Sequence, residues 1–157
     1  MSKMLPVRPR QATKAMLSFA IVASQYNSEF VQPLVDHAKK ELGVLEPGAS
    51  ITVIQVPGAF EIPLLAKAAA ESHRYQAILA LGVILEGATA HADLIARGVT
   101  QALLEISLSH RLPVIHGVLL LQNEDQARER CMGKDLNRGT EAARAAVATA
   151  RTLLEFH

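Results

Sequence analysis

The chain has 157 residues, half of them apolar and a fifth charged, and a formal net charge of +1 at pH 7. That length corresponds to about one domain, and the composition is typical of a compact fold rather than a disordered chain. The near-neutral charge argues against binding to nucleic acid or to an anionic membrane surface, and the single cysteine excludes a disulfide framework and a cysteine-based zinc site.

The first fifteen residues contain Pro6, Pro9 and several basic side chains. We therefore expect residues 1–15 to form a flexible arm and residues 16–157 to form a single domain. The apolar runs are too short to cross a membrane, and the basic N-terminus lacks the apolar segment of a signal peptide. The default expectation is a cytoplasmic protein.

Short apolar runs alternate with amphipathic stretches from residue 16 onward. The runs at 17–23, 51–56, 77–85 and 113–121 are predicted to be strands. The first predicted helix is capped by Asn27 or Ser28 and stops at Gly43. Further helices are predicted at 61–71, 91–110, 125–131 and 140–156. This alternation predicts a three-layer α/β/α sandwich with a four-stranded parallel sheet of flavodoxin-like type.

Two of the predicted helices carry side-chain patterns that predict specific contacts. The first has an apolar stripe at helical spacing, formed by Val31, Leu34, Val35, Ala38 and Leu42. The helix at 91–110 places Asp93 four residues before Arg97, which predicts an ion pair. The alanine-rich last helix is interpreted as a close-packed interface.

Ligands of an open parallel sheet bind beyond the carboxyl ends of its strands. The segment 82–89 lies there and has the glycine and threonine spacing of a P-loop, but Ala88 stands where the lysine belongs, which argues against a nucleotide triphosphatase. The sequence supports two interpretations of this segment equally. Backbone N–H groups around Gly87, Ala88 and Thr89 bind an anion, or the segment is only a tight turn capped by Thr89.

Several side chains near the predicted strand ends suit substrate chemistry. His91 can move a proton beside a bound phosphate, although a hydrogen-bonded loop histidine is the commoner outcome. Phe60 and Glu61 can hold a planar heterocycle, or form a hydrophobic staple and a carboxylate that suits the helix dipole. Tyr26 is equally ambiguous, but two aromatics at strand ends in a chain with few of them favour a ring-binding wall.

Three further residues also fit ordinary structural roles. Arg130 is a candidate phosphate clamp, although charge on an amphipathic helix is usually only solvated. His116 lies inside an apolar run, which is typical of a core histidine, and Cys131 is interpreted as packing. His91 and Asp93 are too few ligands for a metal site, and no metal is predicted.

Four segments occur in order: 56–63 (VPGAFEIP), 82–91 (GVILEGATAH), 124–130 (EDQARER) and 137–139 (NRG). Together they resemble the 6,7-dimethyl-8-ribityllumazine synthase family, which performs the penultimate step of riboflavin biosynthesis. The resemblance implies a transferase that condenses 5-amino-6-(D-ribitylamino)uracil with 3,4-dihydroxy-2-butanone 4-phosphate. The products are the lumazine, phosphate and water. No redox step is required, so no cofactor is expected.

The resemblance also implies roles by position. His91 matches the proton-transfer residue, Arg130 the phosphate-clamping arginine, and Tyr26 the aromatic that stacks on the pyrimidine. The implied substrate contacts are Tyr26, Ala59, Phe60, Glu61, Val83, Ile84, Leu85, Ala88, Thr89, His116 and Arg130. In the family the positions of His116 and Arg130 come from a neighbouring subunit. A pentamer-based homo-oligomer acting on pyrimidine and sugar-phosphate substrates is therefore expected, without nucleic-acid or membrane partners.

This chain departs from the family pattern at three places. Leu120 and Leu121 stand where hydroxyl residues are frequent, which makes that rim more apolar. Glu86 stands where relatives commonly carry arginine, so we expect its carboxylate to point away from the phosphate turn or to be paired. His116 stands where phenylalanine is usual, which introduces a titratable ring. The departures at Glu86 and His116 motivate an alternative, a non-catalytic flavin- or lumazine-binding paralogue, whereas His91 and Arg130 favour the enzyme. A phosphoacceptor signalling module would need an acidic cluster at the strand ends, and the first strand ends in Ala-Ser-Gln.

Overall fold

A computed structural model of the chain describes residues 4–9, 16–87 and 90–157. The sheet consists of β1 (Ser18–Ser24), β2 (Ser50–Val56), β3 (Ala77–Leu85) and β4 (Val114–Leu121), all parallel and in the order β2-β1-β3-β4. The helices are α1 (Ser28–Leu45), α2 (Ile62–Glu71), α3 (Ala92–His110), α4 (Glu124–Met132) and α5 (Arg138–Leu154), and a 3-10 turn (Ala59–Glu61) precedes α2. The predicted α/β/α sandwich with a four-stranded parallel sheet is confirmed.

The two faces of the sheet bury two separate apolar clusters, because successive strand residues point to opposite sides. Phe19, Ile21, Leu79 and Leu81 pack under α1, α4 and α5, and Ala20, Val22, Ile78 and Ala80 pack under α2 and α3. A sheet covered on both faces needs apolar residues at every position of its central strands. This explains why β1 and β3 appear in the sequence as continuous apolar runs.

Helix α1 buries the whole predicted stripe but does not stop at Gly43. The helix continues to Leu45, which is 2% exposed, and Glu46 then precedes Pro47. Burying Leu45 offsets the cost of about 1 kcal/mol for a glycine inside a helix. The following proline disfavours helical geometry at Glu46, so the predicted stop at Gly43 was wrong by two residues.

Helix α5 packs closely across α1, which confirms the interpretation of its alanines. Ala142, Ala143, Ala146 and Ala150 are buried against α1 and the sheet. At Gly139 an added Cβ would overlap the carbonyl oxygen of Leu34. The side chain of Asn137 accepts from the N–H groups of Gly139 at 2.9 Å and Thr140 at 3.0 Å, which caps α5 where this close approach begins.

Residues 4–9 have no helix or strand, but an ion-pair network ties them to α1 and α5. Arg8 donates twice to Glu41, at 2.9 and 3.0 Å, and Arg144 donates to Glu41 at 2.5 Å and to the carbonyl of Pro6 at 2.9 Å. Burial raises the pKa of Glu41, but the two arginines outweigh it and hold that pKa below its ordinary value. The rest of the expected arm, 1–3 and 10–15, lies outside the described residues.

Candidate active site

The carboxyl ends of β1, β2 and β3 lie side by side and carry most of the predicted site. From β1 the chain crosses outward to β2 and later returns to β3 on the other side of β1, so the strand order reverses between β1 and β3. A crevice at such a reversal is where doubly wound sheets bind ligands. The segments 24–27, 57–61 and 83–87 meet there.

Tyr26 is held at this edge by its backbone and stands open to solvent. Its N–H donates to the carbonyl of Pro57 at 2.9 Å, and the N–H of Gln25 donates to Val56 at 2.8 Å. The ring lies against Gly58, where an added Cβ would come within 2.9 Å of two ring carbons. Tyr26 is 66% exposed. The absence of a side chain at Gly58 therefore leaves the space that the ring occupies.

Phe60 and Glu61 lie in the 3-10 turn that follows β2. Phe60 is 69% exposed, so it does not pack as a hydrophobic staple, and that alternative was wrong. The carboxylate of Glu61 lies 3.6 Å from the position of a Cβ added at Gly58. Ala59 is half-buried against the cluster under α2 and α3. Two exposed aromatic rings and one carboxylate thus come from adjoining strand ends.

The end of β3 consists of three apolar residues. Val83 and Ile84 are buried and Leu85 is half-buried, and the side chains of Val83 and Ile84 join opposite faces of the sheet. The carbonyl of Val83 accepts from the side-chain amide of Asn27 at 2.8 Å. Asn27 occupies the cap position of α1 as predicted, but its side chain makes no capping hydrogen bond, so that part of the prediction was wrong.

The turn after β3 leads into α3. Gly87 has φ +85°, a conformation that favours glycine, and a Cβ added there would meet nothing within 4 Å. Ala88 and Thr89 lie outside the described residues. His91 is exposed at the cap position of α3, and its carbonyl accepts from Ile95 at 3.0 Å. Glu86 is also exposed, and the expected orientation of its carboxylate stays a prediction.

His116 is not a core residue, because β4 is an edge strand of the described sheet and His116 is exposed on it. Its Nε2 lies 2.7 Å from the hydroxyl of Thr100, and that hydroxyl donates to the carbonyl of Ala96. The hydroxyl therefore accepts from Nε2–H, while Nδ1 accepts the N–H of Val118 at 3.2 Å. Although one side of the residue is open, protein packed around the ring lowers the pKa of His116 by desolvation.

A groove of about 740 Å³ follows the outer edge of β4 between α3 and α5 and includes His116. Its charged walls are paired internally: Asp93 with Arg97 at 2.9 Å, as predicted, and Arg138 with Glu141. His116 aligns with Ala80 on β3, three residues before Val83. At about 3.3 Å per residue it lies roughly 10 Å along the strand from Val83. One chain therefore does not bring His116 to the strand-end cluster.

Helix α4 carries two arginines with different surroundings. Arg128 pairs with Asp125 at 2.8 Å and with Glu124 at 3.7 Å. Arg130 is half-buried, and its Nε has no hydrogen-bond partner among the described residues. A buried donor left unpaired costs free energy unless a ligand or a second chain supplies an acceptor. The neighbouring Cys131 is buried, which raises the pKa of its thiol to about 12 and confirms its packing role.

No group of three or more His, Cys, Asp or Glu side chains in 4–9, 16–87 and 90–157 could hold a metal ion. None of the helices in those ranges is long and apolar enough to cross a membrane.

Comparison with known proteins decides the family. The family profile of 6,7-dimethyl-8-ribityllumazine synthase matches residues 16–153. The chain belongs to this family. A 6,7-dimethyl-8-ribityllumazine synthase of Streptomyces coelicolor is 44% identical over 142 residues, covering 87% of this chain and 85% of the relative. A synthase of the same name from Nitratidesulfovibrio vulgaris is 40% identical, covering 87% of this chain and 88% of the relative. A de novo designed Rossmann fold protein matches at 18% identity with a TM-score of only 0.40, covering 73% of this chain and 92% of that one.

In this lumazine synthase family member, Tyr26, Phe60 and Glu61 lie together at the carboxyl edge of the sheet, whereas His116 lies on the outer strand β4, apart from them. Sequence reasoning missed the contact from Asn27 to β3 and the buried Glu41. Glu41 had a detectable signal, because it follows the buried Leu34 by seven residues on the same helical face. Asn27 had none, since its partner is 56 residues away.

Proposed function

We propose that the chain condenses 5-amino-6-(D-ribitylamino)uracil with 3,4-dihydroxy-2-butanone 4-phosphate to give 6,7-dimethyl-8-ribityllumazine, phosphate and water. The observation that carries the proposal is the family match across residues 16–153, which spans every strand and helix of the described sandwich except the last residue of α5. The curated relatives bear the name of this activity and are matched over most of their length.

The pyrimidine binds between the aromatic rings and the end of β3. Tyr26 and Phe60 are exposed from adjoining strand ends, which suits them to flank a planar ring. Val83, Ile84 and Leu85 contact the pyrimidine at the end of β3, and Ala59 supplies backbone beside it. The carboxylate of Glu61 accepts hydrogen bonds from the uracil side or the ribityl chain.

The sugar phosphate binds at the start of α3. The start of α3 is the positive end of the helix dipole, which suits a phosphate dianion, and we assign Gly87, Ala88 and Thr89 to phosphate binding by their positions in the family pattern. Arg130, whose Nε lacks a partner within the described chain, supplies the guanidinium from a neighbouring copy. Both groups stabilise the charge that develops as phosphate leaves.

The covalent steps need proton transfer but no change of oxidation state. The 5-amino nitrogen adds to the ketone and water leaves, which forms an imine. Phosphate is then eliminated, the resulting enol tautomerises to a carbonyl, and the 6-amino nitrogen closes the ring with loss of water. His91, exposed at the start of α3 beside the phosphate turn, moves protons in these steps. With no redox step, the reaction requires no cofactor.

The active form in this proposal is a homo-oligomer built on a pentamer. His116 lies roughly 10 Å along the sheet from Val83, so we assign its contribution to a site on a second copy. We assign the protein to the cytoplasm, since a single buried thiol suits a reducing compartment. Light scattering coupled to size-exclusion chromatography tests the assembly, and a fully active monomer would contradict the shared site.

Mixing both substrates with purified protein and following the absorbance of the lumazine tests the reaction. His91→Ala should slow turnover while assembly persists, with His110→Ala at the other end of α3 as the control. Arg130→Ala should weaken the binding of the phosphate substrate alone, and Arg128→Ala is the control on the same helix. Tight lumazine binding without product would favour the non-catalytic paralogue and overturn the proposal.

A further inference from the structure

Backbone and side-chain hydrogen bonds tie the loop between β1 and α1 to both neighbouring strands. The N–H groups of Gln25 and Tyr26 bond to the carbonyls of Val56 and Pro57 at the end of β2. The side-chain amide of Asn27 bonds at 2.8 Å to the carbonyl of Val83 at the end of β3. The loop that carries the Tyr26 ring is therefore attached on both sides, by backbone toward β2 and by one side chain toward β3.

The hydrogen bond between Asn27 and Val83 lies just beyond the last residue pair of the β1–β3 ladder. The pairing of β1 with β3 ends at Ala23 opposite Leu81, so the carbonyl of Val83 lies beyond the last β1 partner. Val83 is 3% exposed, which leaves its carbonyl little access to water. The amide of Asn27 supplies the donor that another strand residue would have supplied.

The backbone of Asn27 makes this contact reachable. Asn27 has φ 61° and ψ 38°, in the left-handed region that asparagine tolerates better than most residues. Its side chain accepts no hydrogen bond from α1, in contrast to Asn123, whose side chain caps α4 by accepting from Gln126 at 2.9 Å. Asn27 thus occupies a cap position while its side chain is used for a contact across the sheet.

We propose that Asn27 is a positioning residue that holds the Tyr26 ring at a set distance from the end of β3. It thereby sets the width of the space between that ring and β3 in which the pyrimidine binds, which is called the pyrimidine slot below. The pyrimidine part of this inference rests on the proposed function. The positioning part does not, because it concerns the free protein. Tyr26 is one of two tyrosines in a chain without tryptophan, so its ring can be observed selectively.

Two substitutions separate the hydrogen bond from the backbone conformation. Asn27→Gly keeps the left-handed backbone and removes the amide. Asn27→Asp keeps the size and tolerates the same backbone, but turns a carboxylate oxygen toward the carbonyl of Val83, so it should act at least as strongly. Asn123→Gly is the matched control, because it removes a true capping asparagine from a different helix.

The first measurement is near-ultraviolet circular dichroism and acrylamide quenching of Tyr26, made in a Tyr75→Phe background. Both Asn27 variants should lose ordered tyrosine ellipticity and quench faster, and Asn123→Gly should do neither. The second measurement is steady-state kinetics. The KM for the pyrimidine should rise about tenfold, as expected for loss of one oriented contact, while the KM for the sugar phosphate changes less than twofold.

Unchanged Tyr26 spectra in Asn27→Gly and Asn27→Asp would overturn the positioning role, whatever the kinetics. Altered spectra with an unchanged pyrimidine KM would overturn the link to the slot. An equal rise in both KM values would indicate a general structural defect and would also overturn it. If the wild-type chain formed no lumazine, the proposed function would fail, and the spectra would still decide whether Asn27 positions Tyr26.

Discussion

Alanine in place of Gly58 should impair the reaction much more than it impairs folding. The backbone at Gly58 has φ −128° and ψ 174°, which any residue adopts, so the substitution introduces no backbone strain. The added Cβ would lie 2.9 Å from two carbons of the Tyr26 ring. Because Tyr26 is 66% exposed, the ring can swing outward into solvent rather than into the core.

The size of the effect follows from the contact distance. Carbon atoms pack best at about 3.5 to 4.0 Å, so the ring has to move by about 1 Å. A surface displacement of this kind should change the free energy of unfolding by no more than about 0.5 kcal/mol. A misplacement of about 1 Å in a binding group costs up to about 100-fold in rate, so kcat/KM should fall by about 10- to 100-fold.

Lumazine formation and denaturant unfolding measure the two quantities on the same samples. Gly43→Ala is the matched control, since Gly43 is exposed within α1 and an added Cβ there meets nothing within 4 Å. It should stabilise the fold by about 0.5 to 1 kcal/mol and leave kcat/KM unchanged. If Gly58→Ala and Gly43→Ala turned over alike, the position of the Tyr26 ring would not limit the reaction and the reasoning would be wrong.

Three further predictions concern stability and titration. Glu41→Gln should lower the free energy of unfolding by about 2 kcal/mol at pH 7. Because the pKa of Glu41 is lowered in the folded state, this stability difference is complete above the ordinary pKa of 4.5 and should shrink as the pH falls through the folded pKa. Urea unfolding midpoints of both proteins measured against pH check this. A stability difference that does not depend on pH would contradict it. The imidazole of His116 should titrate below the ordinary 6.5 by nuclear magnetic resonance, and a midpoint at or above that value would refute the desolvated neutral ring. Gly139→Ala should cost about 3 kcal/mol, because the Cβ overlaps the backbone carbonyl of Leu34, whereas an unchanged unfolding midpoint would show that α1 and α5 can separate easily.

The order and type of the main elements were predictable because they depend on local patterns. The apolar run at 77–85 coincides with β3 residue for residue, since a strand buried on both faces has no polar position inside it. The helix predicted at 91–110 begins one residue later in the structure, at Ala92, and the expected pair of Asp93 with Arg97 forms because both lie on one helical turn. The family motifs likewise lie on contiguous segments and could be recognised without coordinates.

Features that depend on which segments become neighbours were not predictable in this way. An apolar run has the same pattern in a central parallel strand as in an edge strand, and only the order β2-β1-β3-β4 places His116 on an exposed edge. Asn27 has the local position of a helix cap, yet its side-chain amide donates to the carbonyl of Val83, which the sheet brings beside it. The sequence by itself determined which segments are strands and helices, because periodicity acts over a few residues. Only the tertiary structure decided which side chains meet, because those contacts join strands that are distant in the chain.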